Sequence, residues 1–147
     1  GTAAAVRAAG CGGAAKAVSS SEYPVASVRE MEARFLDVLR LSGIGARING
    51  PEGEGRMPGI LNLSFPRWEA DQLCAALDLA GVAASPGAAC SSGVVRFSHV
   101  LRAMGRSEAQ AGRGVRFSFG WNSTAAEAEE AAERVSRILA GSLVKPA

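Results

Sequence analysis

Apolar residues repeat at helical spacing from position 28 onward, which predicts a long helix with one buried face. The residues on that face are Val28, Met31, Phe35, Val38 and Leu39, at the three- and four-residue steps of an α-helix. Ser27 and Glu30 have the spacing of a capping box, which predicts the start of this helix. Gly43 and Gly45 predict its end, because glycine accepts the backbone conformations that close helices.

Three further stretches of the sequence predict helices of more than ten residues. An Ala-rich run over residues 2–18 predicts a first helix, although three glycines weaken it. Residues 69–80 predict another, with inward positions at Leu73, Leu77 and Ala80. The last begins at Thr124, which is boxed with Glu127, and closes at Gly141. Its predicted inward positions are Ala131, Val135, Ile138 and Leu139.

Two stretches alternate apolar and polar residues with the period of a half-buried strand, residues 60–65 and 115–119. Residues 82–85 predict a shorter strand, Ile48 lies in a short extended piece, and Ser98 is placed to cap a short helix. Short strands interleaved with helices predict an α+β fold. We expect a small sheet of three strands, antiparallel or mixed, covered on one side by helices.

Bulk properties exclude several functional classes. A chain of 147 residues suffices for one domain. The net charge of +2 is too small to indicate a nucleic-acid-binding protein. No apolar run reaches the length of about 18 residues that a membrane span needs, and the first residues do not have the pattern of a signal peptide. We therefore expect neither nucleic acid nor membrane as a partner.

The three cysteines are widely spaced, without a Cys-x-x-Cys pair. A closed zinc site would need all three to converge with His99, so no metal site is expected. Free thiols in a reducing cytoplasm are the simpler interpretation. Cys11 and Cys74 lie in helical stretches and are predicted to pack in the core. His99 is interpreted as a structural or capping histidine.

Cys90 differs from the other two cysteines because it lies in a loop of small residues, 86–93. Small neighbours leave a thiol exposed and mobile, and the nearby Arg96 favours the nucleophilic thiolate. The sequence around Cys90 by itself leaves two interpretations open: a reactive thiol or an ordinary surface cysteine.

Arg116 lies inside an alternating strand, where it either points to solvent or binds an anion with its planar guanidinium. Three arginines outside the predicted helices and strands are expected to be solvated: Arg56, Arg67 and Arg96. The two lysines, Lys16 and Lys145, lie in a Gly-rich helix and near the end of the sequence. Neither position is typical of a lysine that holds a cofactor as a Schiff base.

Several motifs resemble the cysteine desulfurases of the class V aminotransferase superfamily, whose members are fold-type I pyridoxal-phosphate enzymes. They occur in family order along essentially the whole chain. The motifs are Gly1-Thr2, Pro58-Gly-Ile-Leu-Asn-Leu-Ser-Phe65, Ala76-Leu-Asp-Leu-Ala-Gly81, Gly87-Ala-Ala-Cys-Ser-Ser-Gly93, Ser98-His-Val-Leu-Arg-Ala-Met-Gly105 and Val115-Arg-Phe-Ser118. The cysteine loop followed by Ser-His-Val-Leu-Arg-Ala-Met-Gly is the most specific combination.

The resemblance implies a mechanism and a set of site residues. Pyridoxal 5′-phosphate activates L-cysteine, Cys90 accepts its sulfur as a persulfide, and alanine leaves. Arg116 holds the substrate carboxylate, and Thr2 contacts the cofactor phosphate of the partner subunit in a homodimer. The sulfur then passes to an acceptor or an iron–sulfur scaffold protein, for cluster assembly or tRNA thiolation. His99 matches a family position outside the cofactor site.

The resemblance also implies that this chain is one part of the enzyme. The family's Schiff-base lysine, ring-stacking histidine and cofactor aspartate precede Gly1, so residues 1–147 correspond to the single C-terminal small domain. Residues 1–20 would be the connecting helix from the N-terminal cofactor-binding domain. We expect the isolated chain to be inactive.

Some positions depart from the family pattern and leave alternatives open. The family's Glu-Asn after Gly-Thr is Ala3-Ala4, and Trp121 and Asn122 replace a common Arg-Phe pair. Pro86 stands where the family has Ser or Thr, which stiffens the base of the loop. A selenocysteine lyase or another aminotransferase of the same class is an alternative. A non-catalytic remnant or interaction module is another.

Overall fold

The computed structural model describes residues 2–19, 25–51, 53–87 and 98–141. Six helices lie in these ranges: α1 (Thr2–Ser19), α2 (Val25–Leu41), α3 (Ala70–Leu79), α4 (His99–Ala103), α5 (Glu108–Ala111) and α6 (Ala125–Gly141). The four strands are β1 (Arg47–Ile48), β2 (Ile60–Ser64), β3 (Ser85–Pro86) and β4 (Gly114–Ser118). A single 3₁₀ turn spans Gly53–Gly55. The α+β class predicted from the sequence is confirmed.

The sheet is antiparallel throughout and has the strand order β1-β2-β4-β3. It has four strands rather than three. The additional strand is β1, which forms because the extended piece at Ile48 pairs with the end of β2. Both edge strands, β1 and β3, align only two residues with a longer neighbour. The five-residue strands β2 and β4 form the centre, with Leu61 opposite Phe117 and Leu63 opposite Val115.

The core lies between one face of this sheet and the helices α2, α3 and α6. Alternation along the strands buries Leu61 and Leu63 of β2 and Val115 and Phe117 of β4. Phe35 of α2 packs on Phe117 with ring centroids 4.9 Å apart. Burying these apolar side chains against each other supplies most of the favourable free energy of folding.

The predicted face of α2 is confirmed, since Val28, Met31, Phe35 and Leu39 are buried. Its predicted capping box is wrong, because α2 begins at Val25 and Ser27 therefore lies inside the helix. The capping box of α6 is confirmed. The Thr124 backbone N–H donates to a Glu127 carboxylate oxygen at 2.8 Å, and the Glu127 N–H donates to Thr124 Oγ1 at 3.2 Å.

The helix α1 differs from the others in its surroundings. Its described side chains, from residue 8 to residue 19, are all exposed. Cys11 is among them, so the predicted core position of Cys11 is wrong. The Ala- and Gly-rich sequence has no apolar stripe for the sheet to bury, which explains why this helix does not join the core. No helix in the described ranges has both the length and the apolar character needed to cross a bilayer.

Candidate functional site

The second face of the sheet is polar, and Arg116 lies at its centre. Alternation that buries Val115 and Phe117 turns Arg116 to the opposite side of β4. Its Cα partners are Asn62 on β2 and Ser85 on β3. Arg116 is therefore flanked by polar residues on both neighbouring strands rather than by core residues.

The Arg116 guanidinium is half-buried, and its Nε is shielded from solvent without a hydrogen-bond partner among the described residues. A buried charged donor without an acceptor is costly, which favours an anion at this position. The planar fork of arginine suits a carboxylate, which accepts two parallel hydrogen bonds. The strand therefore presents Arg116 as a candidate anion-binding residue.

A hydrogen-bonded group next to Arg116 was missed by the sequence analysis. Asn49 Nδ2 donates to Asn62 Oδ1 at 2.9 Å and to Ser64 Oγ at 2.6 Å, which ties the end of β1 to β2. Asn49 is 7% exposed. The signal in the sequence was the pair of polar positions Asn62 and Ser64 within an alternating strand, whereas Asn49 resembles an ordinary turn residue before Gly50.

Gly114 brings the short helix α4 onto this polar face. A Cβ built at Gly114 would lie 2.5 Å from Leu101 Cδ1 and 2.9 Å from Asn62 Oδ1. Only glycine leaves room for Leu101, which is 3% exposed, to pack directly on the strand. The loop side of α4 is fixed as well, since Leu101 N–H donates to Ser98 Oγ at 3.3 Å, as the predicted cap requires.

Residues 88–97, with Cys90 and Arg96, lie outside the described residues, but both flanks of this segment are placed. Gly87 N–H donates to the Gly114 carbonyl at 2.9 Å. A Cβ on Gly87, whose φ is +57°, would be 3.1 Å from Ser98 Cβ. Gly87 and Ser98, the described residues on either side of this segment, therefore lie next to each other, and Gly87 lies beside Gly114, two residues before Arg116.

The remaining candidate residues are spread over the molecule. Thr2 begins α1, and its side chain lies outside the described residues. His99 is exposed at the first position of α4. Cys74 is half-buried and packs against the core, as predicted. Burial raises the pKa of the Cys74 thiol to about 11, with a smaller contribution from the Asp71 carboxylate, so this thiol is a poor nucleophile at neutral pH.

Arg56 does not have the solvated environment predicted for it. Its side chain is 16% exposed and donates from Nη2 to Glu32 at 2.8 Å, while Glu32 is 3% exposed. The second Glu32 oxygen accepts the Gly59 N–H at 2.7 Å, one residue before β2. The signal in the sequence was Glu32, an acidic residue on the otherwise apolar face of α2, because a buried carboxylate needs a positively charged partner. Arg67 is exposed, as predicted.

Comparison with known proteins gives a consistent family assignment. The family model described as aminotransferase class-V matches residues 1–130. A Bacillus subtilis (strain 168) protein provisionally named cysteine desulfurase IscS 1 is 39% identical over 112 residues, 76% of this chain and 29% of that protein. A mitochondrial cysteine desulfurase of Eremothecium gossypii (strain ATCC 10895) is 40% identical over 121 residues, 82% of this chain and 24% of that protein. The chain thus spans less than a third of the length of these curated relatives.

Solved structures support the same fold. A NifS-like protein superposes with a TM-score of 0.65 at 24% identity, over 80% of this chain and 28% of the other. A NifS-like protein from Rickettsia africae ESF-5 gives a TM-score of 0.57 at 22% identity, over 76% of this chain and 29% of the other. At these identities the likeness shows the fold alone.

Proposed function

This chain belongs to the class V aminotransferase family, and from that premise we propose that it is the C-terminal portion of a cysteine desulfurase that uses pyridoxal 5′-phosphate. One observation supports this most directly. Gly87, three residues before Cys90 in the sequence, donates its backbone N–H to Gly114, two residues from Arg116 on the same strand. The described residue that precedes the Cys90 segment and the candidate carboxylate-binding residue therefore lie at one corner of the polar face, and we infer that Cys90 acts at this corner.

We assign Arg116 to the carboxylate of the amino-acid substrate. The strand pairing places Arg116 between Asn62 and Ser85 on the polar face of the sheet. Its Nε has no acceptor within the described residues. A carboxylate would supply the missing acceptor and fix the orientation of the substrate relative to the loop.

We assign Cys90 to sulfur acceptance. It follows Gly87 by three residues, and three extended residues span at most roughly 10 Å, which suits a thiol that serves a substrate bound at Arg116. In the reaction, the Cys90 thiolate attacks the substrate sulfur and forms an S–S bond while the C–S bond breaks. The electron pair of that bond stays with the carbon, which takes up a proton, and alanine and a Cys90 persulfide result.

Pyridoxal 5′-phosphate, the cofactor of this family, supplies the electron withdrawal that lets the C–S bond break. The described residues do not hold this group by themselves. The described lysine, Lys16, is exposed on α1, whereas a Schiff-base lysine needs a desolvated or otherwise activated amine. We therefore propose that the lysine lies in the N-terminal domain of the full-length protein, which we call the parent. We also propose that the 147-residue chain alone neither binds the cofactor covalently nor releases sulfide. A borohydride-fixed adduct on Lys16 or Lys145 would contradict this.

The organisation of the parent follows from the same assignment. We propose that residues 1–147 form its C-terminal small domain, that α1 connects it to the cofactor-binding domain, and that the parent is a homodimer in which Thr2 contacts the partner's cofactor phosphate. The exposure of α1 supports this, because its described side chains from residue 8 to residue 19 do not pack on the core of this domain. The persulfide would pass to an acceptor or iron–sulfur scaffold protein in a reducing compartment, the cytoplasm.

Product analysis of the full-length parent tests the proposal. Incubation with L-cysteine should release alanine and, with a thiol reductant, sulfide in equal amounts. The family model is broader than one activity, and Arg116 would bind the carboxylate of any amino acid, so a selenocysteine lyase or an aminotransferase is the second candidate. Transamination products, or turnover confined to L-selenocysteine, would replace the first assignment with the second.

A further inference from the structure

A basic cleft at the free edge of the sheet is separate from the site at Arg116. It has a volume of about 390 Å³ and lies between the C-terminal end of α2, the edge strand β1 and the connection between α4 and α5. Its polar lining consists of Arg40, Arg47 and Arg106, and its floor is apolar, with Leu39 and Ile48 among the residues that form it. We call this the edge cleft.

Two of the three arginines have no anionic partner among the described residues. Arg106 is half-buried, and its Nε is shielded from solvent without an acceptor. Arg47 takes part in none of the salt bridges within the described ranges. Arg40 pairs with Asp37 at 3.1 Å, but both side chains are well exposed, and such a pair is weak in water. The cleft therefore has a surplus of positive charge.

The described residues that line the edge cleft include no acidic residue. Three guanidinium groups line one cleft above an apolar floor, so an anion that enters the cleft interacts favourably with all three. The buried Arg106 Nε adds a specific requirement for an acceptor, because an unsatisfied charged donor is costly at low dielectric. The occupant that matches both features has a carboxylate next to an apolar side chain.

The position of the cleft on an edge strand favours an extended occupant. The strand β1 is first in the order β1-β2-β4-β3, so its outer edge has no neighbour in the described sheet. An edge strand can pair with an added peptide, while pockets beside it select the side chains. Because β1 has only two residues, ion pairs with the arginines, rather than ladder hydrogen bonds, would give most of the affinity.

We propose that the edge cleft is a docking site for an acidic segment of a partner protein, an extended peptide in which carboxylates alternate with aliphatic side chains. The carboxylates pair with Arg47 and Arg106, and an aliphatic side chain occupies the floor beside Leu39 and Ile48. This inference does not depend on the desulfurase assignment.

Fluorescence anisotropy on the full-length parent tests the proposal. The probe is a fluorescein-labelled ten-residue peptide of alternating Leu and Glu, and its matched control has Gln in place of Glu. We expect the Glu peptide to bind at least tenfold more tightly than the Gln peptide, with affinity falling several-fold between 50 and 300 mM salt, since ion pairs are screened. The charge reversal Arg47→Glu and the neutralisation Arg106→Gln should each weaken binding at least fivefold.

Arg137→Glu is the control variant, because it changes the net charge by the same amount as Arg47→Glu at an exposed position on α6. It should change the affinity less than twofold. Equal binding of the two peptides, no binding of the Glu peptide at 1 mM, or equal losses in Arg137→Glu and Arg47→Glu would overturn the proposal. Competition by hexanoate as effective as that by the peptide would also overturn it, in favour of a small-carboxylate site. L-cysteine turnover with a thiol reductant should be unchanged in all three variants, so this test is independent of the proposed activity.

Discussion

Asn62 and Arg116 are directly opposite each other on β2 and β4, on the face of the sheet turned away from the core. Asn62 is itself fixed by the 2.9 Å hydrogen bond from Asn49 Nδ2. Asn62 on β2 and Ser85 on β3 are therefore the cross-strand neighbours of Arg116 on this face. A fixed neighbour favours a defined position of the Arg116 side chain, which a carboxylate-binding residue requires.

Replacing Arg116 should chiefly weaken substrate use. In the full-length parent we expect Arg116→Ala to raise KM for L-cysteine roughly 10- to 100-fold, because a hydrogen bond to a charged group contributes about 1.5–3 kcal/mol. Steady-state kinetics measures this. The control is Arg113→Ala, which removes an exposed arginine paired with Glu69 at 3.2 Å and should leave KM within twofold. An unchanged KM in Arg116→Ala would remove Arg116 from the site.

Adding a methyl group at Gly114 should disturb the polar face. We expect Gly114→Ala to lower the free energy of unfolding by about 1–3 kcal/mol, the usual effect of overpacking, because the new Cβ meets Leu101 and Asn62. Gly12→Ala is the matched control, since no atom lies within 4 Å of its Cβ and alanine favours a helix by up to about 1 kcal/mol. Urea-induced unfolding of both variants measures the difference. Equal effects in the two would show that Leu101 does not pack on Gly114.

Glu32 should be far more important for stability than its neighbour on the helix surface, Glu30. Glu32→Ala leaves Arg56 buried without its carboxylate and removes the acceptor of the Gly59 N–H. Breaking a buried ion pair from one side costs about 3–5 kcal/mol. Glu30→Ala breaks only the exposed pair with Arg34, which contributes at most about 1 kcal/mol. Urea unfolding that ranks Glu30→Ala as the more destabilising would contradict the described packing.

The raised pKa of Cys74 predicts how the free energy of unfolding changes as the pH rises into the alkaline range. The folded state keeps this thiol protonated up to about pH 11, whereas the ordinary thiol pKa of 9.0 applies to the unfolded chain. Between these values the unfolded state binds fewer protons than the folded state, so the free energy of unfolding falls as pH rises. We expect Cys74→Ala to reduce this slope, and unfolding curves at pH 8, 9 and 10 would measure it. A slope that is the same in Cys74→Ala would assign the alkaline loss to other groups.

The parts of the fold that the sequence predicted correctly are those whose signal is local. The apolar face of α2, the alternation in β2 and β4, and the Thr124–Glu127 cap of α6 each depend on residues within a few positions of one another. The edge strands β1 and β3 depend on pairing with a distant partner, so β1 was predicted only as an extended piece at Ile48, and β3 was predicted at residues 82–85 instead of Ser85–Pro86.

In the candidate site, too, the sequence did not predict contacts between residues that are far apart along the chain. The alternating strand left solvent exposure and anion binding both open for Arg116, and its role toward a substrate carboxylate came from the family resemblance and stays a prediction. The Asn49–Asn62 bond joins residues 13 positions apart, and the Glu32–Arg56 pair joins residues 24 positions apart. Neither partner has a sequence pattern that identifies the other. The role of Cys90 stays a prediction, because its loop lies outside the described residues.

Persulfide mapping tests the central claim most directly. The full-length parent is incubated with L-cysteine, its persulfides are alkylated with a mass label, and the labelled peptides are identified by mass spectrometry, with Cys90→Ala as the control variant. We expect the label on Cys90, none on the half-buried Cys74, and no sulfur transfer in Cys90→Ala, although that variant should keep its cofactor and substrate binding. Label on Cys11 or Cys74 without label on Cys90, or full turnover in Cys90→Ala, would contradict the account.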